Sequence, residues 1–127
     1  MRPPNIGPRM RRGATLIAVA VVAACRRDAR VVAMRDNTFD APVVRIAAGA
    51  RLRFENDGQV VHNVVIADSA TAPFPANPPL VKPGESQRLE FDRPGVYRIY
   101  CSFHGTPDGR GMASVVVVGD AKYQPGQ

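Results

Sequence analysis

The chain has 127 residues, which is enough for one domain and too short for two domains of ordinary size. Its composition, 45% hydrophobic and 22% charged, is that of a folded protein. The formal net charge of +6 suggests nucleic-acid binding, but four arginines and no acidic residue precede Cys25. From Arg26 onward the basic side chains outnumber the acidic ones by only two, so we expect no basic nucleic-acid-binding face.

The amino-terminal segment has the order of an export signal. Residues 1–12 are polar and basic, and residues 14–24 form a largely apolar run of 11 residues. As a helix with a rise of ~1.5 Å per residue, this run covers roughly half of a ~30 Å hydrocarbon core, so it matches a secretory signal better than a membrane span. The run ends in Val-Ala-Ala-Cys, which resembles the bacterial lipobox and predicts lipidation of Cys25. The alternative is an ordinary export signal with an incidental cysteine.

This leader predicts a protein outside the cytoplasmic membrane, anchored to a bacterial membrane as a lipoprotein, either in the periplasm or on the outer face. The chain holds one other cysteine, Cys101. If Cys25 carries lipid, Cys101 has no disulfide partner, and a lone thiol in an oxidising compartment is a liability unless a metal occupies it. The expected organisation is a signal peptide over residues 1–25, a short linker over 26–30, a domain over 31–119 and a C-terminal tail over 120–127.

The remaining chain alternates between strand-like pieces and turn signals. In one piece Leu52, Phe54 and Asn56 alternate with charged residues, which is the period of a half-buried strand. The proline-rich residues 68–84 are typical of a long irregular loop. Seven strands without a convincing helix predict an all-β fold, a Greek-key β-sandwich, in which we expect Tyr97 to form a tyrosine corner. The predicted strands are 31–34, 43–46, 51–56, 60–66, 85–91, 96–101 and 115–118.

Two histidines and one cysteine are predicted to meet at one end of this sandwich. Alternation along a strand places Cys101 on the same inward face as Ile99, and it places His62 on the inward face of an earlier strand. His104 follows in the loop after Cys101, and the chain has no other histidine. A thiolate and two imidazoles with a weak fourth ligand are typical of a trigonal copper site. Zinc is the competing metal, but a structural zinc site usually has four strong ligands, and here the fourth would be a thioether.

Five short segments, spread over most of the chain after the leader, carry a family resemblance. They are DNTF at 36–39, FENDG at 54–58, HNVV at 62–65, KPGE at 82–85 and PGVYRIYCSFH at 94–104. In this order they resemble a cupredoxin, a type 1 blue copper protein of the plastocyanin-like kind. The resemblance implies one copper ion bound by His62, Cys101 and His104 in one plane, with Met112 as the axial ligand.

One spacing departs from the family pattern. Seven residues separate His104 from Met112, more than plastocyanin-like proteins usually have. Glycines and a proline in this span would allow a bulge that returns Met112 to the metal; the alternative is that Met112 only packs. The resemblance also implies that the Asn63 side chain bonds to Ser102, which would tie together the two ligand-bearing segments. The alternative is that Asn63 and Ser102 are solvated polar residues at loop ends.

These features predict an electron-transfer protein and not an enzyme, because no acid–base pair, nucleophile–base pair or open metal position is evident. We expect His104 to lie nearest the solvent and to be the electron port, with Tyr100 as a second exit for the electron. The expected partners are redox proteins that the sequence does not identify, and the protein is expected to be a monomer. A copper storage or delivery protein with the same ligands is the alternative.

Overall fold

The computed structural model describes residues 27–67, residue 74 and residues 77–126 of the chain. The predicted signal peptide and Cys25 lie outside the described residues. Within these ranges no residue is helical, and so no helix is long and apolar enough to cross a membrane. The described strands are β1 (Arg30–Arg35), β2 (Thr38–Phe39), β3 (Val43–Ile46), β4 (Ala50–Asn56), β5 (Val65–Ile66), β6 (Ser86–Phe91), β7 (Gly95–Gly105) and β8 (Gly111–Val118).

The strands form two four-stranded sheets, in the orders β2-β1-β4-β6 and β3-β8-β7-β5. Most neighbouring strands are antiparallel, but β1 runs parallel to β4 and β3 runs parallel to β8. Because consecutive strands repeatedly change sheet, the chain wraps around one shared core. The predicted all-β sandwich is confirmed.

The core follows the alternation of side chains along the strands. In β4, Leu52, Phe54 and Asn56 are buried, and the charged residues between them are partly exposed. β6 repeats the pattern with Gln87, Leu89 and Phe91 turned inward. The two inward faces meet those of the second sheet in a single cluster of buried apolar side chains. Burial of a large apolar side chain contributes about 1.5–3 kcal/mol, so this cluster supplies most of the stability of the sandwich.

The strand boundaries differ from the predicted ones in four main places. Strand β8 begins at Gly111 and not at residue 115, so Met112 lies within it. The expected loop before β3 contains the short strand β2, because Asp36 and Asn37 adopt positive φ angles of 20° and 72° and turn the chain back onto β1. Strand β5 is only two residues long, since His62 before it makes an isolated bridge instead of continuing a ladder. Strand β7 extends to Gly105, so His104 lies in a strand rather than in the expected loop.

An aromatic cluster packs under the start of β7. The Tyr97 hydroxyl donates a hydrogen bond of 2.7 Å to the Arg93 carbonyl oxygen, which confirms the predicted tyrosine corner. The Phe74 ring, from the proline-rich segment, packs on Phe91 and Tyr97 with ring centroids 5.2 Å and 6.0 Å away. Phe74 therefore packs against the edge of the core.

Both ends of the described chain contact the sandwich. The Ala29 amide donates to the Arg51 carbonyl oxygen at 2.7 Å, and the Asp28 carboxylate contacts three arginines of β4 and β6. Residues 28 and 29, which precede β1, therefore pack on the sandwich. In the C-terminal tail, the Tyr123 carbonyl oxygen accepts a hydrogen bond of 3.0 Å from the Arg45 guanidinium.

Candidate metal centre

Two elements bring the three predicted metal ligands together. Cys101 and His104 belong to β7, and His62 lies in the segment between β4 and β5. The backbone of His62 is bridged to Val81 by two hydrogen bonds of 3.1 Å and 2.8 Å. The side-chain amide nitrogen of Asn56 donates to the carbonyl oxygens of Val60 and Val81, each at 2.8 Å. Asn56 thus fixes the segment that carries His62 against the end of β4.

Asn56 is a site residue whose role the sequence did not reveal. Its side chain is almost fully buried, with 1% of its surface exposed, and its Oδ1 also accepts a hydrogen bond from the Gly58 amide. The sequence did show an asparagine at an inward-facing strand position, where a side-chain amide without hydrogen-bond partners would cost free energy. Such a residue must find backbone partners. Here two of them, Gly58 and Val60, lie in the segment that carries His62, and the third, Val81, is bridged to His62.

The donor atoms of the three side chains form a compact triangle. The Cys101 Sγ lies 3.8 Å from His62 Nδ1 and 3.6 Å from His104 Nδ1, and all three donor atoms lie within 4.8 Å of one another. The two imidazole rings meet edge to face, with an interplanar angle of 69°. These distances between the donor atoms suit a single ion whose bonds to imidazole nitrogen and thiolate are about 2.0–2.3 Å long.

The chemistry of the donors also fits a metal. Cys101 is a free, fully buried thiol among the described residues, so no disulfide there competes for its sulfur. Burial, together with the neighbouring His104, lowers the pKa of His62 below its usual value. His62 is therefore held as a neutral imidazole, which is the form that coordinates a metal.

Met112 lies at the same end of the sandwich. It is fully buried near the start of β8, directly after Gly111, and Gly111 pairs with Gly105 next to His104. The long spacing between His104 and Met112 therefore does not carry the methionine into solvent. Its thioether is the weak donor that would complete a set of two nitrogens and one thiolate.

The predicted bond between Asn63 and Ser102 is present, and it is accompanied by a second one. The Asn63 amide nitrogen donates to Ser102 Oγ at 2.8 Å, and the Ser102 backbone amide donates to Asn63 Oδ1 at 2.9 Å. Asn63 is buried, so the interpretation as a solvated residue is wrong for it. Because each partner directly follows a metal ligand, the pair locks the two ligand-bearing segments to one another.

The solvent-facing side of the site is formed by His104 and its neighbours. His104 is partly exposed, and the Phe103 side chain beside it is 57% exposed. An open cleft next to His104 is lined by Thr106 and Arg110 as well. Tyr100 is half-buried, within the β7 pairing with β5 and β8. Of the two predicted electron exits, His104 and Tyr100, only His104 is both a member of the donor triangle and open to solvent.

Comparison with known proteins agrees with this architecture. Residues 13–125 match the family model of a cupredoxin-like domain. Chloroplastic plastocyanin from Pisum sativum is 28% identical over 120 residues, which cover 84% of this chain and 70% of the relative. Plastocyanin from Vicia faba is 33% identical over 81 residues, which cover 58% of this chain and 79% of the relative.

The fold has close counterparts among solved structures. Amicyanin from Paracoccus versutus aligns with a TM-score of 0.61 and 24% identity, covering 72% of this chain and 81% of its own. At this identity the likeness concerns the fold. The family match, however, spans far more than half of the chain and contains all eight described strands, His62, Cys101, His104 and Met112. The chain therefore belongs to the cupredoxin-like family, as a plastocyanin-like member.

Proposed function

We propose that this protein carries single electrons on one copper ion, in a type 1 (blue) site outside the cytoplasmic membrane. The observation that carries the proposal is the triangle of a buried cysteine sulfur and two imidazole nitrogens at one end of a rigid sandwich. His62, Cys101 and His104 would hold the ion, and Met112 would supply the weak axial donor. Bound copper supplies a one-electron couple between Cu(I) and Cu(II).

The protein's part in electron transfer is to keep the donors in place when the charge of the site changes. The two hydrogen bonds between Asn63 and Ser102 and the bridge between His62 and Val81 restrain all three donors. Donors that move little keep the reorganisation of the site small, and this favours rapid electron transfer. The partly exposed His104 would pass the electron to a redox partner that docks on this end of the monomer. We infer that the protein is an electron carrier and not an enzyme, because the bound ion would occupy all three donor side chains.

The visible spectrum of the copper-loaded protein tests the proposal. One equivalent of Cu(II) should give an intense blue colour, which arises from the bond between copper and the Cys101 thiolate. Cys101→Ser should abolish the colour, and Ser86→Ala, at an exposed position of β6, should leave it intact. A colourless adduct of the unaltered protein, or two bound ions, would contradict a blue mononuclear site.

Copper storage or delivery would use the same donors but would need an exchangeable ion. The complete burial of His62 and Cys101 argues for slow release instead. Electron self-exchange and copper loss to a chelator distinguish the two functions. We expect fast self-exchange and slow loss; slow self-exchange with rapid loss would favour delivery.

Membrane attachment through lipid on Cys25 is the second part of the proposal. Its support is the order of basic segment, apolar run and Val-Ala-Ala-Cys in the leader. In a bacterial host, Cys25→Ala should move the protein from the membrane fraction to the soluble fraction. Substitution of the other cysteine, Cys101→Ser, should not. Persistent membrane attachment of the Cys25→Ala variant would refute lipidation at this residue.

A further inference from the structure

The register of the β7–β8 hairpin changes at the metal site. Tyr100 pairs with Ala113, but the next pair is Gly105 with Gly111. Between these two pairs β7 contains the four residues 101–104, and β8 contains Met112 alone. Residues 101–104 therefore form a bulge in β7, here called the ligand bulge, which includes Cys101 and His104. Met112 is the single residue of β8 that lies opposite the ligand bulge.

The pair that closes the ligand bulge requires glycine on both strands. A Cβ atom on Gly105 would overlap the Met112 carbonyl oxygen, and a Cβ atom on Gly111 would overlap the His104 carbonyl oxygen. Gly111 also has a φ of +70°, in the left-handed region that favours glycine. Both clashes involve backbone atoms, which a side-chain rotation cannot relieve. The two strands can approach this closely only because neither glycine has a side chain.

Beyond the glycine pair, residues 106–110 form a turn with its own hydrogen bonds. The Thr106 amide donates to the Arg110 carbonyl oxygen, and the Gly109 amide donates to the Thr106 carbonyl oxygen, each at 3.0 Å. The Asp108 carboxylate accepts from the Thr106 hydroxyl and, at 3.0 Å, from Arg110 Nε. None of these bonds involves a metal-binding residue. These hydrogen bonds therefore join residues of the turn to one another and not to the metal site.

We propose that Gly105 and Gly111 are positioning residues that hold Met112 opposite the ligand bulge and isolate the metal site from the turn at 106–110. This inference deepens the proposed copper function and rests on it. It explains how a span longer than is usual in the family still returns the methionine to the site: the extra residues belong to the turn, beyond the glycine pair. The turn can then vary in sequence without a change in the coordination of the ion.

Two glycines of this hairpin provide a matched test. Gly109 has a φ of +94° but no atom within 4 Å of a Cβ placed on it, whereas Gly111 combines a positive φ with the backbone clash. Gly109→Ala and Gly111→Ala therefore share the conformational strain and differ in the clash. We expect Gly111→Ala to shift both the visible spectrum and the reduction potential of the copper-loaded protein, and Gly109→Ala to leave both unchanged. Equal effects of the two substitutions would overturn the proposal.

Further variants keep the test decisive. The spectral shift of Gly111→Ala should be smaller in a Met112→Leu background, because part of it acts through the thioether; a shift of undiminished size there would contradict the assignment. If Gly111→Ala fails to fold, Thr106→Ala with Asp108→Ala tests isolation of the turn, since the potential should not change. A changed potential in that double variant would overturn the inference.

A readout without copper separates this inference from the proposed function. In the metal-free protein, the NMR signal of the Met112 methyl group should shift in Gly111→Ala and not in Gly109→Ala. If the unaltered protein does not turn blue with Cu(II), the proposed function fails, whereas the positioning of Met112 is still tested by this signal. An unshifted methyl signal in a folded Gly111→Ala variant would refute the positioning role itself.

Discussion

Replacement of Asn63 by alanine tests how the two ligand-bearing segments are held together. The substitution removes two hydrogen bonds to Ser102, of 2.8 Å and 2.9 Å. At about 0.5–1.5 kcal/mol per bond, the free energy of unfolding should fall by about 1–3 kcal/mol. For a domain of this size, each kcal/mol lowers the unfolding midpoint temperature by about 4–8 °C. Because the pair also orients two metal ligands, copper should bind about 10–100-fold more weakly.

The assay combines urea unfolding of the metal-free protein with a competitive copper titration. Ser102→Ala is the informative partner variant, since it removes the hydroxyl acceptor and leaves the bond from the Ser102 backbone amide. It should therefore cost less stability and less affinity than Asn63→Ala. Ser86→Ala, at an exposed strand position, serves as the control and should change neither quantity. A loss of stability without any loss of copper affinity would refute the argument that Asn63 orients the ligands.

Three more outcomes are expected. Met112→Leu should keep the blue colour but raise the reduction potential, because the axial thioether no longer stabilises Cu(II); an unchanged potential would mean that Met112 is not axial. Tyr97→Phe should lower the free energy of unfolding by about 0.5–1.5 kcal/mol through loss of the bond to the Arg93 carbonyl oxygen, as measured by urea unfolding. Burial opposes ionisation of Asp28, but hydrogen bonds from Arg51 and Arg88 and their charges outweigh it and lower the pKa of the carboxyl below 3.8. The ionised Asp28 carboxylate therefore stabilises the fold above that pH, and this contribution is lost as the pH falls below it. Asp28→Asn should reduce the acid sensitivity of the free energy of unfolding between neutral pH and pH 3. Identical profiles of unfolding free energy against pH for the two proteins would contradict the role of the ion pairs.

The strands with regular alternation could be predicted from the sequence because their pattern is local. Leu52, Phe54 and Asn56 in β4 alternate with charged residues, and the structure buries all three. Strand β2 could not be predicted in this way, since two residues carry no period and the turn before it depends on positive φ at Asp36 and Asn37. The length of β5 also depends on a distant partner, because His62 pairs with Val81 across the proline-rich segment.

The residues that bind the metal could be predicted from the sequence. Cys101, His104 and His62 are the residue types that bind copper, and strand alternation already turns Cys101 inward. His62 is buried as predicted, although it lies outside the continuous strand that the prediction assumed. The family resemblance added Met112 and the bond between Asn63 and Ser102. These inferences succeed because residue type and short-range spacing determine both the chemistry of a donor and the face of a strand on which it lies.

Only the tertiary structure decided how a methionine that is separated from His104 by seven residues reaches the site. The answer depends on the register between β7 and β8, in which Gly105 pairs with Gly111 and Met112 alone lies opposite the ligand bulge. In the sequence these glycines indicate only a flexible loop. Their specific role arises from backbone atoms of the opposite strand that leave no space for a Cβ atom, and such an approach between two strands leaves no local pattern in either one.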